Sequence, residues 1–243
     1  ATVDDSSCCG NTSALWNQIG QDIDGTGNER IGFSVFMNDI GDRVVVGGID
    51  NIVRVYQLIG TNWIQMGQDI IKQGFAVSMN SDGNRILIGS RPGVSAYEWD
   101  GNNWIQMGSN INSGGSSFGA SVWINNIGDI IIVGDPSGNP IGGVVWSGMA
   151  KAYNWNGNNW IQMGSDLLGL RYDTIGSGDR FGRGVTMNSN GTILAVGSYI
   201  SDYVRLFEWN GNNWDSLSVI FEPVGYNALS LDRDESLVCL FFL

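Results

Sequence analysis

Asp100-Gly101-Asn102-Asn103-Trp104-Ile105-Gln106-Met107-Gly108 returns as Asn156-Gly157-Asn158-Asn159-Trp160-Ile161-Gln162-Met163-Gly164. Its second half already stands upstream as Trp63-Ile64-Gln65-Met66-Gly67. Trp16-Asn17-Gln18-Ile19-Gly20 is a close variant, and Trp214-Asp215-Ser216-Leu217-Ser218 a decayed one. The five tryptophans are spaced by 47, 41, 56 and 54 residues. A fixed period of this length marks a repeat architecture, in which each copy is one supersecondary unit.

Working outward from the tryptophan, every period divides into the same four pieces. An alternating segment comes first, at residues 32–38, 74–80, 118–125, 181–188 and 225–232. A polar turn leads to an apolar run: Arg43-Val44-Val45-Val46-Gly47, Arg85-Ile86-Leu87-Ile88-Gly89, Ile130-Ile131-Ile132-Val133-Gly134, then 192–197 and 237–243. A second alternating segment follows at 53–57, 94–98, 150–154 and 204–208, and the tryptophan piece completes the unit. Alternation marks strands with one buried face, while a short Val/Ile/Leu run bounded by turns marks a strand covered on both faces. Asp-Gly and Asn-Gly supply the positive φ that tight hairpins need. No segment sustains a helical period. Four short antiparallel strands per copy, five times over, predict an all-β, five-bladed β-propeller spanning residues 1–243 as a single domain. The chain starts in the fourth piece and finishes in the second, so ring closure by N- and C-terminal strands is expected; a stack of sandwiches and a fragment of a longer propeller are the alternatives.

Composition removes several functions. The chain has 243 residues, 12 Lys plus Arg against 24 Asp plus Glu, a formal charge of −12 and no His. Such a balance lacks the basic footprint of a nucleic-acid binder. Without His there is no histidine-based nucleophilic catalysis and no histidine metal site. No apolar run reaches the length that spans a membrane as a helix. The reading is a non-catalytic protein without membrane insertion. The small, acidic, Ser/Thr-rich start (Ala1-Thr2-Val3-Asp4-Asp5) is read as a mature end whose signal has been removed, hence an extracellular or cell-surface protein.

The segment Trp16 to Gly25, Phe118-Gly119-Ala120-Ser121-Val122, Phe181-Gly182 and Val53-Arg54-Val55-Tyr56 together resemble FG-GAP-type propeller repeats. These occur in secreted and surface proteins of marine microbes and algae and, more distantly, in the integrin α head. The resemblance covers nearly the whole chain and implies a propeller used for binding or adhesion. Integrin-like blades carry an Asp-rich calcium loop between their first two strands. Here those loops read Asn38-Asp39-Ile40-Gly41-Asp42, Asn80-Ser81-Asp82-Gly83-Asn84, Asn125-Asn126-Ile127-Gly128-Asp129 and Asn188-Ser189-Asn190-Gly191-Thr192, without the alternating carboxylates.

Several candidate sites compete with plain structural readings. Trp99, Trp155 and Trp209 suit stacking platforms for sugar rings, with Asn103, Asn159 and Asn213 offering amides beside them; core packing and turn chemistry are the alternatives. Trp63, Trp104 and Trp160 read as core between blades. Asp22, Asp24 and Asn28 alternate as in a calcium loop, the one cofactor with a candidate site, against a plain acidic connection. Cys8 or Cys9 is placed to bridge Cys239 if the termini meet. Asn11 and Asn190 open glycosylation sequons. Insertions at 135–143 and 168–179 make Asp135, Asn139, Arg171, Tyr172 and Asp173 candidates for a specific contact surface, since function concentrates in long loops. The expected function is lectin-like glycan recognition. The alternative is a structural or assembly protein of a surface, filament or virus particle, with protein partners.

Overall fold

The computed structural model describes residues 18–27, 29–139, 146–170, 178–201, 203–221, 228–231 and 238–241. Among them the regular structure is strand throughout. The first sheet is β1 (Ile31–Met37), β2 (Arg43–Gly48), β3 (Ile52–Ile59) and β4 (Asn62–Gln65); the second is β5 (Ala76–Met79), β6 (Arg85–Gly89), β7 (Val94–Trp99) and β8 (Trp104–Gln106). The third joins β9 (Ser121–Ile124), β10 (Ile130–Asp135), β11 (Met149–Trp155) and β12 (Trp160–Gln162), with β13 (Leu167–Leu168) also on β11. The fourth is β14 (Gly184–Met187), β15 (Ile193–Gly197), β16 (Tyr203–Trp209) and β17 (Trp214–Phe221); β18 (Ala228–Leu231) and β19 (Val238–Phe241) form a pair. Each four-stranded sheet is antiparallel in chain order, as the four-piece period predicts.

The first strands pack in series, β1 on β5, β5 on β9, β9 on β14 and β14 on β18. Phe36, Val77, Trp123 and Val185, one from each of the first four, line a common axial space of about 200 Å³. Phe36 and Trp123 meet edge to face across it, with centroids 5.2 Å apart. The apolar second strands lie one layer out and are buried on both faces: Val45, Ile86, Leu87, Ile88, Ile131, Ile132, Val133, Leu194, Ala195 and Val196 are inaccessible.

Three repeated devices hold neighbouring sheets together, and each accounts for part of the motif. The glycine ending a second strand abuts the next sheet so closely that a side chain has no room. A Cβ on Gly89 would stand 2.1 Å from the Gly119 carbonyl oxygen, one on Gly134 2.0 Å from that of Gly182, and one on Gly47 2.6 Å from that of Gly74. The second device is the anchor tryptophan, whose indole N–H donates to the preceding repeat. Trp104 Nε1 reaches Met66 O at 3.0 Å, Trp160 reaches Met107 O at 3.2 Å and Trp214 reaches Met163 O at 2.9 Å. Trp104 and Trp160 are buried, as expected of core residues, and so is Trp214. Trp63, also expected in the core, is only partly buried, because its bond to Ile19 O, at 3.1 Å, lies in an exposed setting.

The third device is the turn between first and second strands. Asn38, Asn80, Asn125 and Asn188 are buried at the ends of the first strands. In each, Oδ1 accepts the backbone N–H groups four and five residues on, and Nδ2 donates to the side chain four residues on. One neutral amide thus closes the turn and satisfies buried backbone donors.

The segments after the anchors are held to the third strands. Ile70 bridges back to Val53, Ile111 to Val94, and Leu167 pairs with Ala150. The fourth piece therefore bends at its glycine and returns to the third strand. The flank of β1 departs from its counterparts: Val35 and Met37 are 60% and 48% exposed, whereas Val77 and Met79 are buried.

Candidate functional site

Gly89 pairs with Val94 and Arg85 with Glu98, so β6 ends and β7 begins at one end of the sheet, while β7 finishes at the other. Functional candidates fall at both ends.

At the β7–β8 end, cross-strand pairing sets Trp99 opposite Trp104, Trp155 opposite Trp160 and Trp209 opposite Trp214, with centroids 5.3, 5.3 and 5.0 Å apart. The outer member of each pair stays partly accessible and lies over the turn glycine of the preceding repeat, Trp99 over Gly67, Trp155 over Gly108 and Trp209 over Gly164. Between the second and third sheets this leaves a groove of about 520 Å³, lined by Glu98, Trp99, Asp100, Gln106, Trp155 and Asn158 among others. Two indoles from successive repeats thus flank carboxylates and amides. An aromatic face beside polar acceptors and donors suits a carbohydrate ring.

The asparagines beside these tryptophans are more committed. Asp100, Asn156 and Asn210 each fold their Oδ1 onto the N–H groups two and three residues on, which makes the turns self-contained. Bonding to those amides holds the Asp100 carboxyl below its usual range. Asn103 and Asn159 supply two of those N–H groups, and Asn213 Oδ1 accepts the Ser165 N–H at 2.9 Å, so its carbonyl is engaged in the frame. The groove instead presents Asn158, which sequence reasoning passed over.

The acidic loop after the first anchor is an ion-pair frame. Asp22 accepts from Gln18 Nε2 at 2.7 Å, a clamp repeated by Gln65 on Asp69, Gln106 on Asn110 and Gln162 on Asp166. Glu29 receives both terminal nitrogens of Arg54 at 3.0 Å and two bonds from Thr26; the Arg54 bonds come first among the causes that hold its carboxyl down at about 2. Asp69 takes the remaining face of Arg54 at 2.9 Å. Among the described residues no three acidic side chains gather as cation ligands; Asn28 lies outside those residues.

The insertions give a mixed outcome. Asp135 is fully buried rather than presented to a partner, and a Cβ on Gly115 would collide with its carboxylate. Neither of its oxygens has a hydrogen-bond partner, and burial pushes its carboxyl pKa up against the pull of the nearby Ser137 and Gly138 amides. Asn139 is exposed and closes the insertion by accepting the Trp146 N–H at 2.5 Å. Arg171, Tyr172, Asp173, Asn11, Cys8 and Cys9 lie outside the described residues, as does the side chain of Cys239. Asn190 is exposed in the β14–β15 turn, where its sequon is open to solvent.

At the opposite end, where second strands finish and first strands begin, a pocket of about 260 Å³ is lined by Arg91, Ser117, Pro136, Ser137, Arg180, Arg183 and Tyr199. No motif marks it: Arg91, Pro136 and Tyr199 each stand two residues beyond the glycine of a second strand, and Ser117 and Arg180 each precede a Phe-Gly pair, but the residue types differ from repeat to repeat. The available signal was the insertion at Pro136 and Ser137, together with arginines beside turn glycines in Ser90-Arg91-Pro92-Gly93 and Arg180-Phe181-Gly182-Arg183.

What these elements define is a class: an all-β protein of repeated four-stranded antiparallel sheets with no helix among the described residues, hence none long and apolar enough to cross a membrane. The fold is similar to a crystal structure of a functionally unknown protein from Desulfotomaculum acetoxidans DSM 771, with a TM-score of 0.65 and 13% sequence identity. That likeness takes in 86% of this chain and 62% of the other, so the present chain spans under two thirds of its neighbour's length. No family model and no curated protein matches the chain.

Proposed function

We propose that the chain is a five-bladed β-propeller of the FG-GAP type, acting outside the cell as a non-catalytic module that binds glycans. The groove between Trp99 and Trp155, with Asp100, Gln106 and Asn158 on its walls, carries the reading. The partly open tryptophan recurs at Trp209, so successive blades offer similar weak sites whose avidity multiplies on a repetitive target. The serial packing of five first strands supports the propeller, and the uncovered flank of β1 is the seat a closing blade requires.

A glycan array screened with and without calcium tests this. Binding to a defined sugar, independent of calcium and weakened at least tenfold by Trp155→Ala with the fold intact, is the expected result. Silence of the wild-type chain across a broad array overturns it.

The exposed Phe33, Val35 and Met37 on β1 favour a second reading, assembly with other proteins through that flank. It predicts concentration-dependent self-association or partner capture abolished by Val35→Glu, with tryptophan substitutions in the groove neutral.

A further inference from the structure

The pocket at the end opposite the groove stands out by its charge. In a chain of net charge −12, the other described cations have acceptors. Arg30 pairs with Asp50, Arg54 with Glu29 and Asp69, Arg85 with Glu98, and Lys151 with Asp166. Arg43 donates to the Asp82 and Gly83 carbonyls, Arg205 to the Leu168 carbonyl and Lys72 to the Asn110 amide oxygen. Arg91, Arg180 and Arg183 alone among the described cations have neither a carboxylate nor a carbonyl, yet they converge on one cavity.

Each is braced. Arg180 lies over the Trp146 ring at 5.1 Å and the Tyr199 ring at 5.9 Å, and its backbone N–H donates to Trp146 O. Arg91 lies over Phe75 at 4.9 Å, and its Nε is buried with no acceptor. Both residues hold positive φ, 32° for Arg91 and 54° for Arg180, which a non-glycine residue adopts at a cost that surrounding structure must offset. Burial, followed by the charge of Arg183, pushes the Arg91 pKa down, as expected of a cation facing another without a counter-ion. Ser117 and Ser137 share one hydrogen bond at 2.8 Å, which leaves a hydroxyl hydrogen free to turn into the cavity. The nearby acids are occupied or turned away: Asp179 accepts from Tyr203 and Ser201, and Asp135 is buried against Gly115 without lining the pocket.

We propose that this pocket binds a tetrahedral oxyanion, a sulfate or phosphate group, either free or as an ester on a larger molecule. Three guanidinium groups supply planar forks that match such oxygens in pairs, with the serine hydroxyl as a further donor. Arg183 also lines the space among the first strands, so the two cavities adjoin at that residue. It does not depend on the groove.

Calorimetric titration with sodium sulfate and with sodium phosphate, at ionic strength fixed with sodium chloride, is the direct test. A sulfated monosaccharide set against its unsulfated parent separates the sources: tighter binding than inorganic sulfate assigns an ester, equal binding a free ion, and both support the site. Arg91→Gln and Arg180→Gln should each weaken binding roughly tenfold or more, the scale of a lost charge-assisted bond. Arg91→Lys should recover only part, because it keeps the charge without the fork. Trp155→Ala should bind the anion as wild type does, which keeps this outcome separate from that of the glycan reading. If the arginine variants fail to fold, wild-type thermal stabilisation by sulfate over chloride at equal ionic strength decides. Responses to sulfate and phosphate no different from chloride, or arginine variants with wild-type affinity, overturn the proposal.

Discussion

Replacing Trp104 by phenylalanine removes one indole N–H and shrinks the ring. That N–H is the donor to Met66 O at 3.0 Å, and Trp104 is 2% exposed while Met66 is 6% exposed, so no water replaces it. An orphaned buried carbonyl costs about 2 kcal/mol, and the smaller ring leaves a gap against Trp99 worth about 1 kcal/mol more. Trp104→Phe should therefore destabilise the chain by about 3 kcal/mol. Trp63 occupies the same motif position and makes the same bond, to Ile19 O at 3.1 Å, but at an exposed site where water can take over. Trp63→Phe should cost under about 1 kcal/mol. Urea unfolding followed by far-UV circular dichroism measures both, with the midpoint shift read at unchanged slope. Equal costs for the two substitutions would refute the claim that burial of the inter-sheet bond gives the anchor its weight.

Other consequences are equally open to measurement. Asn80→Ala strips a buried turn of an acceptor for two N–H groups and should cost about 2 kcal/mol in urea, whereas Asn102→Ala on the exposed turn should stay within about 0.5 kcal/mol. Gly89→Ala places a methyl 2.1 Å from a backbone oxygen and should lower the melting temperature more than Gly157→Ala, which meets open space and bears only the strain of φ 96°. The Glu29 carboxyl is held down at about 2, so its ion pair contributes fully above the ordinary glutamate range and is lost as pH falls through about 2. Melting curves of wild type and Glu29→Gln should therefore differ at pH 7 and converge near pH 2; a constant gap across that range would count against it.

The strand order was legible because tertiary contacts and local pattern agree. The Val/Ile/Leu runs became inner strands buried on both faces, and Asp-Gly or Asn-Gly stood at the turns. Trp104 and Trp160 read as core for the same reason, since a side chain that recurs in register most often meets the same neighbour each time. What escaped was whatever is too short or too varied in residue type to read. Ile70, Ile111 and Leu167 recur seven residues after their anchors but pair over only one or two residues, too short to alternate. The arginine pocket draws on equivalent positions filled by unlike residues, Arg91, Pro136 and Tyr199 after the second strands and Ser117 and Arg180 before a Phe-Gly pair, so no repeated residue type announces it. At 22–29, oxygen spacing alone does not reveal that Gln18 binds Asp22 or that Arg54 occupies Glu29.

The joint between sheets has a polarity. Each repeat offers a tryptophan N–H backward and a methionine carbonyl forward, and the glycines at the two faces fit one another in the same sense. Such an interface is heterologous, like that of a head-to-tail oligomer, and nothing within a single joint counts the copies. In the proposed propeller, the number of blades is set only by the angle at which the last meets the first. A chain trimmed of its final repeat would carry the two unmatched halves of one joint on opposite flanks, and molecules so cut should join end to end into open filaments.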